Sequence, residues 1–474
     1  MQALREVYTL KKILAVFICV LLLVGIGGCV DSAEQPNAAQ PVTLTVWHTY
    51  VEQMGDKFGD LVEEFNTTVG AREGIVVDIG SVSNASEHNE RLLDAADDVP
   101  GTPKLPDMAV VYPQIALQLA QEGLLLDLNT CFSAEELAEF APQFLKEGYL
   151  EGDALYLLPI AKSTEVLYVN RTFFDPFALE TGITLEDLSS VEGLMDASKR
   201  YYEWTDAQTP DIPQDGRAFY YPDNPFNFAE IGFAQMGQSF FVGETLALDS
   251  PTFACIWESY YPLAVRGGVA IFDNYGNYLA KTGGVVCVTS TSAGAIYYPD
   301  TVTYADNTKE DVEFDVLPYP IFSDGEKIAM QRGGSICILK SEPKKEYAAA
   351  LFLKWLTEPA QNLRFTTNAG YLPVKESAFK DIANSSDMAE NLQVRKMLQT
   401  AVEMQNEYSF FIPTVSNVYN GLSVSYSERI YAIAKQDRVK YLELIESGYS
   451  EDEAYSQVSE DAFERFCADF KNSY

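Results

Sequence analysis

Hydrophobic positions along the first 130 residues follow two periods, one typical of strands and one typical of helices. Strands are predicted at three short apolar runs, residues 42–47, 75–79 and 108–111. Helices are predicted where apolar residues recur every three or four positions, over 55–66, 87–96 and 115–121. Strand and helix therefore alternate three times, which predicts an α/β fold with a doubly wound parallel sheet.

The pattern changes beyond residue 150. The strand-rich stretch 155–170 is interrupted by Pro159, and we interpret it as a crossing between two lobes. Another strand is predicted at 284–289 and a strong amphipathic helix at 347–356. The chain from Ser425 onward is helix-rich and highly charged. A chain of 474 residues is long enough for two or three such lobes, each with its own core.

The N-terminus has the order of features found in export signals. Basic residues precede an apolar run, 13–28, which is too short for a convincing membrane-spanning helix because that needs about 20 apolar residues. The run ends in small residues before Cys29 and resembles the lipobox of bacterial lipoproteins, in which this cysteine carries the lipid. The sequence thus predicts a signal peptide over 1–28 and a flexible tether over 29–41. The alternative is an ordinary secretion signal with an incidental cysteine.

Charge and cysteine content exclude several classes of partner. A formal net charge of −36 argues against binding nucleic acid or an anionic lipid surface. The seven cysteines are scattered and form no CxxC pair, so neither a metal site nor a redox motif is indicated. Cys287 and Cys337 lie in apolar runs and are predicted to be buried free thiols. We expect no cofactor and no metal.

Residues with catalytic potential are few. Only two histidines are present, His48 and His88, which limits general-base chemistry. The sequence lacks a GxSxG elbow, an HExxH motif and a Walker A loop. These observations argue against an enzyme, although a surface-anchored glycan hydrolase remains an alternative.

Aromatic and hydrogen-bonding residues follow several predicted strands. In open α/β sheets, ligands bind beyond the carboxyl ends of the strands, so these loops are the candidate site. Sugars present apolar ring faces and many hydroxyls, which flat aromatic rings and short polar side chains can match. The candidates are Trp47, His48, Tyr50, Ser81, Ser83, Tyr112, Gln114, Ser290 and Ser292.

At these same residues the sequence resembles the family 1 extracellular solute-binding proteins of ABC importers, in the branch of sugar and glycerol-3-phosphate binders. The resemblance is carried by ordered stretches such as LTVWHTY, LYLLPIAKSTEVLYVN, RGGSICILK and NAGYLPV, and it extends over about 42–378. It implies a type 2 periplasmic-binding-protein fold, in which hinge strands join two lobes around a ligand cleft. The expected lobes are 42–161 with 334–371, and 162–333 with 372–474.

The resemblance also implies a role and further site residues. It implies delivery of a small polar solute to ABC permease subunits. Together with the predicted lipid anchor at Cys29, we expect a monomer on the extracellular or periplasmic face of the cell membrane. A ligand sensor without transport is an alternative. By resemblance, the cleft residues include Ser163, Glu165, Gly333, Gly334 and Tyr371, with Trp204 as a weaker candidate.

The late stretch PTVSNVYNG bears on the ligand. Glycerol-3-phosphate binders carry an arginine there that meets the phosphate, whereas this chain has Asn417 and Tyr419. A buried phosphate without a charge-assisted partner is costly, so the sequence favours a neutral sugar. Because Arg332 could serve as a partner for phosphate, glycerol-3-phosphate or a glycerophosphodiester is the alternative ligand.

Overall fold

The computed structural model describes residues 36, 40–50, 52–82, 85–150, 152–384 and 391–471. The predicted signal peptide, Cys29 and most of the tether lie outside these residues. None of the helices in the described part is both long and apolar enough to cross a membrane.

Fifteen strands are found in the described residues. In chain order β1 to β15 they are Val42–His48, Ile75–Ser81, Met108–Val111, Leu158–Pro159, Ser163–Asn170, Tyr220–Pro222, Phe241–Val242, Thr245–Leu246, Cys287–Thr291, Thr301–Thr303, Lys309–Asp311, Phe314–Pro318, Ile328–Arg332, Ser335–Ile338 and Ser409–Phe411. The strand predicted at 284–289 is displaced to β9, because Gly283 has a φ of +69° and keeps the chain in a turn before Cys287.

Eighteen α-helices accompany these strands in the same part of the chain. In chain order α1 to α18 they are Glu52–Thr67, Val69–Glu73, Ala85–Ala96, Pro113–Gln121, Ala134–Leu137, Pro142–Lys146, Arg171–Thr181, Val191–Asp206, Pro225–Gln235, Pro251–Arg266, Gly276–Thr282, Pro343–Leu356, Pro359–Thr366, Glu376–Asn384, Leu392–Glu407, Tyr419–Glu446, Glu451–Ser459 and Ala462–Lys471. The helices predicted at 55–66, 87–96, 115–121 and 347–356 are present and begin two to four residues earlier.

The first sheet has the order β2-β1-β3-β14-β4. The first three strands are parallel, with Val46 opposite Met108 and Trp47 opposite Ala109. The prediction of parallel strands holds for these three, but β14 runs antiparallel to β3 and to β4. Since β14 comes from residues 335–338, it enters this sheet only after the chain has completed most of the second one.

The second sheet has the order β15-β13-β5-β9-β6, and β12 also pairs with β5. Strand β5 lies at its centre, and all eight of its residues are buried. Its neighbours β9, β12 and β13 run antiparallel to it, whereas β6 is parallel to β9. The molecule is thus mixed α/β, and the predicted two-lobed fold class is confirmed.

Each sheet has its own aromatic core. Around the first sheet, Phe65 packs against Phe352 and Trp355 of α12. Around the second, Phe253 of α10 and Phe466 of α18 stack with ring centroids 5.8 Å apart. Full burial of such side chains contributes about 1.5–3 kcal/mol each, so both lobes have the means to fold around their own sheets. Cys287 and Cys337 are free and buried, which confirms the prediction for these two thiols.

Within the described residues, the chain crosses between the two sheets at three neighbouring places, at 159–163, at 332–335 and at 372. Ser163 pairs with Arg332, Ser335 pairs with Pro159, and Lys162 forms a bridge with Leu372. The crossings therefore lie side by side beneath one cleft. The lobe boundaries 42–161 with 334–371 and 162–333 with 372–474 stay a prediction.

Candidate functional site

A cleft lies between the two sheets and is divided into two connected chambers. The larger chamber has a volume of about 640 Å³ and the smaller one about 400 Å³. Both are lined by Tyr112, Asn224 and Arg332, so they meet at these residues. Volumes of about 300–1,000 Å³ are typical of sites for small organic ligands.

The wall on the side of the first sheet begins where β1 and β3 end. Tyr50 follows β1 and is buried, whereas Tyr112 follows β3, directly before α4, and is 43% exposed. His88 and Asn89 reach the larger chamber from α3. The carboxyl ends of parallel strands thus supply this wall, as expected for an α/β sheet.

The opposite wall contains a carboxylate held by two donors. Asp223 lies just after β6, where the Gly276 amide donates to its Oδ1 (2.6 Å) and Ser290 Oγ donates to its Oδ2 (2.7 Å). Burial raises the pKa of Asp223, and the two hydrogen bonds act in the opposite direction. These bonds fix the orientation of the carboxylate at the edge of the larger chamber, where it can accept hydrogen bonds from a ligand.

An arginine–glutamate pair lies where the chambers meet. Arg332 Nη1 donates to Glu165 Oε1 over 2.8 Å, and Asn227 Nδ2 donates to the same oxygen over 2.9 Å. The Glu165 side chain is 5% exposed and that of Arg332 33% exposed. Asn227 is placed by α9, which begins there because the Asn224 side chain caps its first turn and Pro225 fits its first position.

The segment 413–420 borders the smaller chamber and is hydrogen-bonded to a buried glutamate. Glu230 accepts hydrogen bonds from Tyr419 Oη (2.8 Å) and from the Thr414 amide (3.3 Å). Burial raises the pKa of Glu230 to about 7, and the two hydrogen bonds limit this rise. Gln114 Nε2 donates to the Thr414 carbonyl over 3.5 Å, so this segment also contacts the wall of the first sheet.

The outer part of the larger chamber is aromatic. Tyr275 and Tyr278 of the α11 region are 69% and 49% exposed. Lys281 lies 5.6 Å from the Tyr278 ring centroid and 5.9 Å from that of Tyr297. Exposed tyrosines beside a cavity offer flat surfaces on which an apolar ligand face can stack.

Nine of the residues predicted from the sequence line the cleft. They are Tyr50, Tyr112, Gln114, Glu165, Ser290, Gly333, Gly334, Tyr371 and Tyr419. They come from both sheets and from the segments that follow them, so the structure brings together residues up to 369 positions apart in the chain.

The other predicted residues lie elsewhere. Ser83 is outside the described residues, and those that line neither chamber are Trp47, His48, Ser81, Ser163, Ser292, Trp204 and Asn417. Trp47 is buried beneath α3, with the Arg91 guanidinium 4.3 Å from its ring centroid, because alternate residues of a strand face opposite sides of the sheet. Trp204 packs against Phe177 and donates to Glu180.

Two of these polar side chains, His48 and Ser292, accept hydrogen bonds within the protein. His48 Nδ1 accepts from the Tyr50 amide over 3.1 Å, and Ser292 Oγ accepts from the Thr164 amide over 3.2 Å. Burial, with His88 nearby, lowers the pKa of His48 to about 4. Ser163 is buried in β5, whereas Ser81 and Asn417 are exposed on the surface.

Several cleft residues were missed from the sequence. They are His88, Asn89, Asp223, Asn227, Asn277, Lys281 and Gln331. A signal existed for Asp223 and Asn227, because the Asn224-Pro225 pair marks a helix start directly after an aromatic run. His88 carried no such signal, since a lone histidine on a buried helix face is as often a core residue.

The cleft is suited to binding a small polar ligand. Within the described ranges, no group of three or more His, Cys, Asp or Glu side chains could hold a metal ion. Polar groups from two α/β lobes converge on a space sized for a small solute, and this arrangement defines a cleft-type ligand-binding protein.

The chain belongs to the bacterial extracellular solute-binding protein family, whose model matches residues 60–393. This family consists of solute-binding transport proteins rather than enzymes. A search of curated proteins found no match to the sequence.

Solved structures share the fold along nearly the whole chain. The cyclic alpha-maltosyl-1,6-maltose binding protein from Arthrobacter globiformis is 18% identical, with 91% of this chain and 100% of that chain covered and a TM-score of 0.64. UgpB from Mycobacterium tuberculosis, in complex with glycerophosphocholine, is 16% identical, with 90% and 98% covered and a TM-score of 0.62. The maltose/maltodextrin-binding domain MalE from Bdellovibrio bacteriovorus, bound to maltotriose, is 16% identical, with 90% and 99% covered and a TM-score of 0.59.

Proposed function

We propose that the protein captures a neutral carbohydrate in this cleft, outside the cell, and delivers it to the permease of an ABC importer. The membership of the solute-binding family supports the class of function. Two of the similar structures are described as binding maltose-derived saccharides, which supports the class of ligand.

One observation carries the carbohydrate proposal, namely the chemistry of the larger chamber. Tyrosine rings line its outer part, and the oriented carboxylate of Asp223 lies at its edge. A sugar combines apolar ring faces with hydroxyls that donate hydrogen bonds, so it can satisfy both kinds of group. The cation where the chambers meet, Arg332, is already paired with Glu165. A phosphate there would have to compete with that carboxylate.

A glycerophosphodiester is the second candidate. The similar UgpB structure contains glycerophosphocholine. Arg332 and Lys281 both line the larger chamber and could bind a phosphate by charge-assisted hydrogen bonds. The opposing carboxylates of Glu165 and Asp223 disfavour this ligand by repulsion.

Capture would occur by closure of the two lobes around the solute. The three neighbouring crossings allow the lobes to rotate as units about one place, as in other hinged binding proteins. We propose that the protein acts as a monomer and catalyses no reaction.

A thermal-shift panel tests the proposal. The mature protein is heated with maltose, maltotriose, a cyclic tetrasaccharide, glycerol-3-phosphate or glycerophosphocholine. A ligand that binds only the folded state at about 100 times its Kd adds about 2.7 kcal/mol of stability, so it raises Tm clearly. We expect saccharides to raise Tm. Stabilisation by the phosphate esters alone would replace the carbohydrate proposal with the second candidate.

We further propose that Cys29 carries a lipid that holds the protein on the outer face of the cell membrane. Two or more acyl chains bind a bilayer stably, since each buried methylene contributes about 0.8 kcal/mol. Cys29→Ser is therefore expected to move the protein from the membrane fraction to the medium or periplasm. The matched control is Cys255→Ser, an exposed cysteine of the folded part, which should leave fractionation unchanged. Membrane retention of Cys29→Ser would contradict the anchor.

A further inference from the structure

Buried polar atoms without a hydrogen-bond partner are concentrated at the cleft. In the described part of the chain, eleven buried side-chain nitrogen and oxygen atoms have no partner. Six of them belong to residues that line the chambers, namely Tyr50, His88, Asn277, Tyr298 and, with two atoms, Gln331. An unpartnered buried polar group costs about 1–3 kcal/mol, so this concentration indicates groups that a ligand satisfies.

On the wall of the first sheet, the partnerless atoms are Tyr50 Oη and His88 Nδ1. Tyr50 is 6% exposed and His88 is 1% exposed. A Cβ on Gly334 would lie 3.9 Å from Tyr50 Oη, so the missing side chain of Gly334 leaves space beside this hydroxyl.

The chemical role of His88 Nδ1 follows from the other ring nitrogen. His88 Nε2 lies 3.0 Å from the Val110 carbonyl oxygen, which can only accept a hydrogen bond. Nε2 therefore carries the proton, and in the neutral ring Nδ1 has a free lone pair. Burial lowers the pKa of His88, which keeps the ring neutral. His88 Nδ1 thus needs a partner that donates a hydrogen bond.

On the opposite wall, Tyr298 Oη and Asn277 Oδ1 are the partnerless atoms. Tyr298 is 5% exposed, and its ring stacks on Tyr168 with the centroids 3.8 Å apart. This stacking fixes the ring, so the hydroxyl cannot turn away to find another partner. Gln331 lines the smaller chamber and is fully buried. Neither its amide nitrogen nor its amide oxygen has a hydrogen-bond partner.

We infer that Tyr50, His88, Asn277, Tyr298 and Gln331 form a two-walled hydroxyl-recognition site that selects a polyhydroxylated, uncharged ligand. Three of the free atoms, His88 Nδ1, Asn277 Oδ1 and Gln331 Oε1, only accept hydrogen bonds. The Asp223 carboxylate, which lines the same chamber as His88 and Asn277, also only accepts. A sugar hydroxyl can donate to each of them, whereas an ionised phosphate oxygen cannot. The inference rests on the proposed function and deepens it, because it assigns the selection of the ligand to named atoms.

Conservative substitutions test the inference. Tyr50→Phe and Tyr298→Phe each remove one hydroxyl and keep the ring. Calorimetry with the saccharides of the panel, maltose, maltotriose and the cyclic tetrasaccharide, should show binding about tenfold weaker for each variant, because a ligand hydroxyl loses its partner. His88→Gln, which retains a donor for the Val110 carbonyl but not the Nδ1 acceptor, should weaken binding similarly.

The matched control is Tyr260→Phe. Tyr260 Oη is also buried without a partner, but Tyr260 belongs to the core of the second lobe and lines neither chamber. The saccharide affinity of Tyr260→Phe should equal that of the parent protein. The ligand-free Tm of all three Tyr→Phe variants should be unchanged or higher, because no hydrogen bond within the protein is lost.

The outcomes separate the inference from the proposed function. If a saccharide binds Tyr50→Phe and Tyr298→Phe as tightly as the parent, the inference is wrong while carbohydrate capture stands. A lower ligand-free Tm for these two variants alone would show that their hydroxyls have protein partners, which also overturns the inference. If no saccharide binds the parent protein, the proposed function and the inference fail together.

Discussion

Gly333→Ala is expected to destabilise the protein by about 3 kcal/mol or more, through backbone strain and overpacking together. Gly333 has a φ of +93°, a conformation that residues with a Cβ rarely adopt. A Cβ at this position would also lie 2.5 Å from the Ala161 carbonyl oxygen and 2.8 Å from the Lys162 Cα. These atoms belong to the backbone of a neighbouring crossing, so they cannot rotate away as a flexible side chain would.

The matched control for this substitution is Gly243→Ala. Gly243 has a φ of +63°, but nothing lies within 4 Å of a Cβ built on it. Its substitution therefore measures the backbone conformation alone, at about 1 kcal/mol. Urea unfolding of both variants, followed by tryptophan fluorescence, gives the difference. Equal losses would contradict the close approach of the two crossings at Gly333.

The parts of the fold that local pattern determines could be predicted from the sequence. Strand β3 has the predicted bounds because a short apolar run is bordered by Asp107 and by Pro113. Strand β14 has an equally apolar sequence, yet its place beside β3 depends on a partner about 225 residues away. Hydrophobic period cannot encode that pairing or its antiparallel direction, because both are set by the path of the whole chain.

Part of the lining of the candidate site could also be predicted from the sequence. Tyr50, Tyr112 and Ser290 follow strands, and the rule that ligands bind beyond strand ends led to these residues, which line the cleft. The same rule also selected Trp47, whose side chain packs under α3 because the face of a strand residue depends on its register. His88, Asn277 and Gln331 have no local signal, since their importance comes from the absence of a partner in three dimensions.

The crossings and the cleft are physically connected. Glu147 and Gly333 line the smaller chamber, and the fully buried Lys162 contacts both of them. The groups that hold the lobes together therefore also line the cleft. A change at the crossings should alter ligand affinity together with stability, unlike a change in either outer core.

Lys162→Met is expected to destabilise the protein strongly. Lys162 Nζ donates to a Glu147 carboxylate oxygen and, over 3.0 Å, to the Gly333 carbonyl. The side chains of Lys162 and Glu147 are 0% and 4% exposed. Lys162→Met leaves the Glu147 carboxylate buried without a counter-charge, which typically costs about 3–5 kcal/mol. The urea midpoint of the variant should therefore be far below that of the parent protein.

A double variant tests whether the loss of stability in Lys162→Met comes from the unpaired Glu147 carboxylate. Lys162→Met with Glu147→Leu removes both charges, so it should be more stable than Lys162→Met alone, because replacing a whole buried pair by apolar groups is often nearly neutral. Lys327→Ala is the control, since the Lys327–Glu407 pair is exposed on the surface and its loss should have little effect. If the double variant were less stable than Lys162→Met alone, the uncompensated Glu147 carboxylate would not be the cause of the loss. The difference between the double variant and the parent protein gives the net contribution of the ion pair to the stability of the crossings.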